Sequence, residues 1–157
     1  MDDSSSELVL SNLVDGLLGE LARHGDGCLR LPVGEARVSF IDARDIAEVA
    51  LTAVERCTDR AAFDLTGPES LTFAQLVAQT AHVVEAPRRF EPTTAGEFRR
   101  QLVELGSHPR YVEVVDELMS FIAAGHASAV TFDVPGVLGR PAISVAEFAG
   151  STRNPDR

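Results

Sequence analysis

The sequence predicts one mixed α/β domain, richer in helix than in strand. Three observations carry this. Apolar stripes at helical spacing recur along the chain, short apolar runs bounded by glycine and proline stand between them, and capping residues sit where stripes begin. The 157 residues suffice for one domain and are few for two. A chain of this size buries about 70% of its unfolded surface, so its core needs no disulfide or metal.

Leu10, Leu13, Val14, Leu17, Leu18 and Leu21 fall at i, i+3, i+4, i+7, i+8 and i+11, which predicts a helix over 8–22 ended by Gly25-Asp26-Gly27. Cys28 to Leu31 and Arg37 to Ile41 read as two short strands around a Pro32-Val33-Gly34 turn. Asp42 then stands as N-cap before Ala43-Arg44-Asp45-Ile46, with Asp45 a second carboxylate in the first turn of a helix over 43–56. Ile46, Val49, Ala50, Ala53 and Val54 are expected to form its buried stripe, reaching Cys57. Ala62-Phe63-Asp64-Leu65 predicts a strand closed by Thr66-Gly67-Pro68.

Thr72-Phe73-Ala74-Gln75 is a capping box for a helix over 72–85, with Phe73, Leu76, Val77, Thr80 and Val84 on its apolar face. A strand over 88–92 precedes a second box, Thr94-Ala95-Gly96-Glu97, and a helix over 95–105. After Gly106-Ser107-His108-Pro109, the residues Val112, Val115, Leu118, Met119 and Ile122 mark the longest helix, over 109–124. Ser144-Val145-Ala146-Glu147 caps a last short one. Residues 1–7 and 151–157 read as disordered tails around a domain over 8–150. The expected core includes Leu13, Leu17, Leu21, Phe40, Ile41, Ile46, Val49, Phe63, Leu65, Phe73, Leu76, Leu118 and Ile122.

Composition excludes several functions. Acidic residues outnumber basic ones 24 to 14, for a formal charge of -10, so a basic nucleic-acid interface is not expected. All 14 basic residues are arginine. Without lysine there is no Schiff base, no phosphate-loop lysine and no Tyr-x-x-x-Lys relay. Cys28 and Cys57 match no redox or zinc spacing, and Cys57 is expected as a buried, inert thiol. The acidic start lacks signal-peptide features and no apolar run has membrane-spanning length, which makes the expected location cytoplasmic. Arginine preference with abundant Ala, Val and Gly suggests a GC-rich bacterial source.

Three segments carry a family resemblance. They are Val38-Ser39-Phe40-Ile41-Asp42-Ala43-Arg44-Asp45-Ile46-Ala47-Glu48-Val49-Ala50, then Phe63-Asp64-Leu65-Thr66-Gly67-Pro68-Glu69-Ser70-Leu71-Thr72-Phe73, then Gly139-Arg140-Pro141 with Ser144 to Phe148. With Ser11-Asn12-Leu13 before them, they resemble the carboxyl-terminal half of NmrA-like proteins, atypical relatives of the short-chain dehydrogenases. The resemblance implies a Rossmann fold that binds NAD(P), in members that are either nicotinamide-dependent reductases or non-catalytic redox-sensing regulators. It also implies that the dinucleotide fingerprint belongs to an amino-terminal half preceding this chain. The expected fold is the helix-rich carboxyl-terminal part of that Rossmann-like fold, without the dinucleotide-binding strands and with no NAD(P) bound by this chain alone. A sheet deprived of central strands leaves edges uncovered, so a hydrophobic surface is expected around 37–41 and 62–65. A second copy or a complementary Rossmann chain would cover it.

One glycine pattern imitates a phosphate loop. Gly16-Leu17-Leu18-Gly19-Glu20-Leu21-Ala22 has the spacing, but both glycines are expected inside the 8–22 helix, with their N–H groups already bonded. In Gly25-Asp26-Gly27, the third glycine position of the fingerprint is Arg30.

Asp42 and Asp45 are the nearest approach to a paired-carboxylate site, with Arg37 and Arg44 as partners; at a helix start, capping is the commoner role. His24, His82, His108 and His126 share no metal-ligand spacing; His82 is expected in solvent and His108 as a cap. Tyr111, the one tyrosine, follows His108 closely, and both can line a pocket under the longest helix. Arg88, Arg89, Arg99 and Arg100 form the densest basic cluster and suit an acidic ligand or charge balance. Three functions follow: a small-molecule or partner-binding module without a nucleotide site, one half of a split NAD(P)-dependent oxidoreductase, or a cofactor-free cyclase or isomerase. In the third, Tyr111, His108 or Asp45 would be the acid/base.

Overall fold

The chain pairs strands that are far apart in sequence. In the computed structural model, which describes residues 9–14, 16–56, 62–83 and 86–152, β1 (Cys28–Leu31) and β4 (Arg89–Pro92) form a parallel pair, in register from Cys28 with Arg89 to Leu31 with Pro92. Parallel strands need a crossover. It contains β2 (Arg37–Val38), α2 (Ala43–Glu55), β3 (Leu71–Thr72) and α3 (Phe73–Thr80), with β2 and β3 paired antiparallel. Before β1 comes α1 (Leu17–His24); after β4 come α4 (Ala95–Glu104), α5 (Pro109–Ala123), α6 (Asp133–Leu138) and α7 (Val145–Thr152).

Local chemistry explains the helix starts. Asp42 accepts the Arg44 N–H at 2.8 Å, and Thr72 and Thr94 form reciprocal boxes with Gln75 and Glu97. His108 caps α5 and Pro109 occupies its first turn, where the missing N–H costs nothing. The helices α2, α4 and α5 therefore run close to their expected bounds.

The expected helix over 8–22 is two pieces. A 3-10 turn, Leu10–Leu13, is followed by a break before α1 begins at the N-cap Gly16. A Cβ on Gly16 would stand 2.6 Å from Asn12 Oδ1, and one on Gly19 2.4 Å from the Val14 carbonyl oxygen. The glycines permit the chain to fold back on itself, while Leu10, Leu13, Leu18 and Leu21 still point into the core. Apolar spacing survives such a break, so periodicity alone cannot detect it.

Strand expectations fare unevenly. The strand over 88–92 forms as β4, but 37–41 keeps only the two-residue β2 plus a single parallel bridge from Ile41 to Val9. Residues 62–65 join no ladder among the described residues. Side chains hold this segment instead: Asp133 Oδ2 accepts the Asp64 N–H at 2.7 Å, the Thr131 hydroxyl donates to the Asp64 carbonyl, and Thr66 Oγ1 accepts the Thr131 N–H at 2.9 Å.

Other boundaries move. The helix expected over 72–85 stops at Thr80, where the Val83 N–H turns back to the Thr80 carbonyl at 2.8 Å. The helix α6 and strand β3 carry no clear sequence signal, since Pro135 and Gly136 disguise the one and two residues give the other no period. Helical structure continues through Thr152, so the carboxyl-terminal tail cannot start at 151. Residues 1–7 and 153–157, together with Cys57 and Val84, lie outside the described residues.

The main core gathers Leu13, Leu31, Phe73, Leu76, Phe98 and Ile122, with α1 on β1, α3 on β4 and α4 on α5. Phe40 meets Phe73 edge-on at 5.2 Å, and Phe90 stacks on Phe73 at 6.0 Å. A second, smaller cluster buries Ile41, Val49, Val134 and Ala142 between α2 and α6. Around it Ile46, Phe63 and Leu65 are only partly buried, as is Leu17 in the main core. The expected α2 stripe holds in part: Val49 is buried beside Asp45, Ile46 and Ala53 are half-buried, and Ala50 and Val54 are exposed. The expected exposed surface at 37–41 is also absent, because Val38, Phe40 and Ile41 are buried.

Two outcomes follow from this packing. Phe73→Ala is expected to lower unfolding free energy by about 3–5 kcal/mol, read as a lower urea midpoint, while the exposed Val103→Ala stays within about 0.5 kcal/mol. Glu97 accepts bonds from the Thr94 hydroxyl and N–H and from the Thr93 hydroxyl, which lower its pKa from 4.5 to about 2. A depressed carboxylate stabilises above its unfolded pKa and loses that contribution as pH falls through the folded value. Carbon-detected NMR is expected to place the Glu97 midpoint near 2; a midpoint near 4.5 contradicts the capping geometry.

Candidate functional site

The paired carboxylates are spent on the fold. Both Asp42 oxygens bind the Arg44 guanidinium, at 3.0 and 2.7 Å. Burial pushes the Asp42 pKa up, but the Arg44 side-chain and backbone bonds outweigh it and hold the group below the ordinary carboxylate value. Asp45 is 0% exposed; its Oδ1 accepts from Arg140 Nη1 at 2.8 Å and its Oδ2 from the Ile143 N–H at 2.7 Å. Arg140 also binds Glu48 and the Pro141 carbonyl. Asp45 therefore faces protein on both oxygens and no open cavity.

His108 and Tyr111 share the first turn of α5. His108 Nδ1 accepts the Arg110 N–H at 3.3 Å, and the Tyr111 side chain is 39% exposed. They sit on the α4–α5 side, whereas Asp45 belongs to α2, which packs on α6, so the three do not form one constellation. His82 is exposed, His24 lies 4.0 Å from Glu104, and His126 packs its ring on Phe121 at 5.0 Å. Cys28 is buried, and burial pushes its thiol pKa up. Among the described residues, no group of three or more His, Cys, Asp or Glu can hold a metal, and no helix is long and apolar enough to cross a membrane.

The concave feature lies elsewhere. At the carboxyl ends of β1 and β4, a cleft of about 410 Å³ is lined by Arg30, Pro92, Thr93, Glu97, Arg100, Gln101 and Glu104. A second hollow of about 260 Å³ adjoins it along α4, where Arg99, Arg100, Val103 and Glu104 form its wall. In parallel α/β structures, ligands collect outside the carboxyl ends of strands. Arg30 is held in place by Glu91, its register partner across the sheet, at 3.1 Å. Of the expected basic cluster, Arg99 pairs with Asp116 at 2.7 Å, Arg88 and Arg89 are exposed, and Arg100 reaches the cleft. Arg37 binds the Ser70 carbonyl.

Arg100 belongs to the basic cluster visible in the sequence, whereas Arg30, Thr93 and Gln101 join it only in the fold. Only the β1–β4 register brings Arg30 beside α4. The one available signal was its position next to last in a strand, which is where a parallel sheet presents side chains to a ligand.

The glycine-rich segment does not fit a dinucleotide. Gly16 opens α1 rather than lying inside a helix, which corrects the expectation, but it follows a 3-10 turn and not a strand. A Cβ on Gly16 would meet Asn12 and one on Gly19 the Val14 carbonyl, so these glycines serve close packing within the chain. No phosphate cradle exists among the described residues of this segment.

No protein-family model matches the chain. It is 33% identical over 120 residues to the NAD(P)H azoreductase of Xenophilus azovorans, covering 76% of this chain and 42% of that protein. It is 32% identical over 131 residues to an uncharacterized oxidoreductase of Bacillus subtilis, covering 80% of this chain and 44% of that protein. Among solved structures it matches the Citrobacter sp. triphenylmethane reductase complexed with NADP(H), with a TM-score of 0.71 and 19% identity, over 90% of this chain and 49% of that one. The chain thus spans less than half the length of these curated relatives. Its fold corresponds to about half of that reductase's structure.

Proposed function

We propose that this chain is the substrate-side, carboxyl-terminal portion of an NmrA-like, NAD(P)H-dependent oxidoreductase, working with a complementary half that holds the dinucleotide. The observation that carries the reading is the cleft at the carboxyl ends of β1 and β4, on a fold that corresponds to half of a reductase. Relatives named as an NAD(P)H azoreductase and an oxidoreductase support it. So does the segment around Gly16 and Gly19, which packs on its own chain instead of forming a cradle.

In this reading the cleft takes a small polar molecule. Arg30 and Arg100 offer guanidinium donors to its acidic or carbonyl oxygens. Glu97, tied down by Thr93 and Thr94, stays ionised and limits how much negative charge the cleft accepts. Of the acid/base candidates, His108 and Tyr111 are exposed but line neither the cleft nor the hollow beside it, while Asp45 serves the fold. The cyclase or isomerase reading loses Asp45 as a proton carrier and has no separate observation in its favour.

Calorimetric titration of the chain with NADPH tests this. The expected result is binding weaker than micromolar, because no backbone cradle among the described residues and no lysine receives the pyrophosphate. A dissociation constant of about 1 μM or tighter, near -8 kcal/mol, overturns the division of labour and gives the chain its own nucleotide site.

A further inference from the structure

The cleft at the ends of β1 and β4 is lined by charges of both signs, and most of them already have partners on the protein. Arg30 spends its Nε on Glu91 at 3.1 Å. Glu97 Oε2 accepts from the Thr93 hydroxyl and from the Thr94 hydroxyl and N–H. Of the tandem arginines on α4, Arg99 pairs with Asp116 at 2.7 Å. Arg100 turns to the cleft instead, and its side chain makes no hydrogen bond or salt bridge with another described residue. The half-buried Gln101 side chain next to it is equally unspent among the described residues. Glu104 has only His24 Nε2 near it, at 4.0 Å. Glu97, Arg100, Gln101 and Glu104 fall at i, i+3, i+4 and i+7 on one face of α4, so each glutamate Cβ stands about 5–6 Å from that of Arg100.

We infer that this cleft binds a zwitterionic amino-carboxylate, with the ligand's carboxylate on Arg100 and its ammonium on Glu104. The inference rests on the reading of the cleft as the ligand site and names the ligand's class. A guanidinium takes a carboxylate through two parallel N–H bonds. Glu104 receives the ammonium rather than Glu97, whose Oε2 is already filled by three donors. A simple anion would meet Arg100 but also the carboxylates on either side of it, and a phosphate dianion would meet them with more charge. A simple cation would find Glu104 but face Arg100 one turn away. In an α-amino acid the two charges flank a single carbon, which suits neighbouring groups on one helix face, and the ligand adds no net charge. Glu97 keeps its own charge, because the Thr93 and Thr94 bonds hold its pKa at about 2. The volume of about 410 Å³ lies toward the small end of ligand pockets, which run from about 300 to 1,000 Å³, so a single amino acid suits it better than a peptide.

The probe is L-norvaline, titrated into the whole chain and followed by amide NMR shifts. Beside it run pentanoate, which lacks the ammonium, butylamine, which lacks the carboxylate, and inorganic phosphate. Norvaline is expected to move the Thr93 and Gln101 resonances saturably and to bind roughly tenfold more tightly than pentanoate or butylamine. Arg100→Gln is expected to weaken norvaline by a similar factor and to leave butylamine unchanged. Glu104→Gln weakens norvaline likewise and leaves pentanoate no weaker. Arg89→Gln, at an exposed position outside the cleft, changes none of them. The three variants replace exposed side chains, so the melting temperature stays where it was. Norvaline no tighter than pentanoate, or phosphate tighter than either, overturns the amino-carboxylate class and leaves the cleft an anion site. Equal loss in Arg89→Gln reduces the effect to surface charge and overturns the class as well. If none of the four probes moves these resonances, the class and the cleft fall together. Tight NADPH binding with the norvaline preference intact upholds the ligand class and refutes only the division of labour proposed above.

Discussion

Burial of the Asp45 carboxylate is the constraint on which much of this structure depends. A carboxylate without solvent must be paired and hydrogen-bonded, and breaking such a pair from one side costs about 3–5 kcal/mol. Its partners, Arg140 and the Ile143 N–H, lie 95 and 98 residues further along the chain. Satisfying Asp45 therefore fixes the carboxyl-terminal segment against the first turn of α2. Asp42 extends the tie, since it holds Arg44, which reaches Ser151 in α7 at 3.1 Å. Two aspartates at a helix start thus join α2 to the end of the chain.

That tie shapes where chemistry can occur. With both carboxylates committed to arginine and backbone, the polar groups left near a concave surface lie at the opposite kind of location, the carboxyl ends of a parallel strand pair. Arginine is the only cation this protein has to offer there besides histidine. A guanidinium binds oxygens through several fixed donors, so two of them orient a small molecule more tightly than two flexible ammonium groups would. Glu97 and Glu104 stand beside the two arginines in the cleft. Charge is balanced locally in the cleft, where Arg30 of β1 and Arg100 stand among Glu97 and Glu104 along about two turns of α4.

The local chemistry of this chain was legible in its sequence. The caps Asp42, Thr72, Thr94 and His108 bond to groups two or three residues away, so their meaning travels with the sequence and the starts of α2, α3, α4 and α5 follow. The long apolar stripe of α5 behaves likewise. The α/β class was readable from apolar spacing and caps. What tertiary structure decided involves partners far along the chain. The break at Gly16 depends on Asn12 and Val14 approaching a glycine, residues 62–65 are held by Asp133 and Thr131 and not by a ladder partner among the described residues, and the cleft depends on the register that puts Arg30 beside α4. Periodicity records which face of a segment is apolar, but not what that face meets. Hydrogen bonds over a few residues are set by the backbone they belong to, whereas a bond between Asp45 and Arg140 exists only once the chain has closed around it.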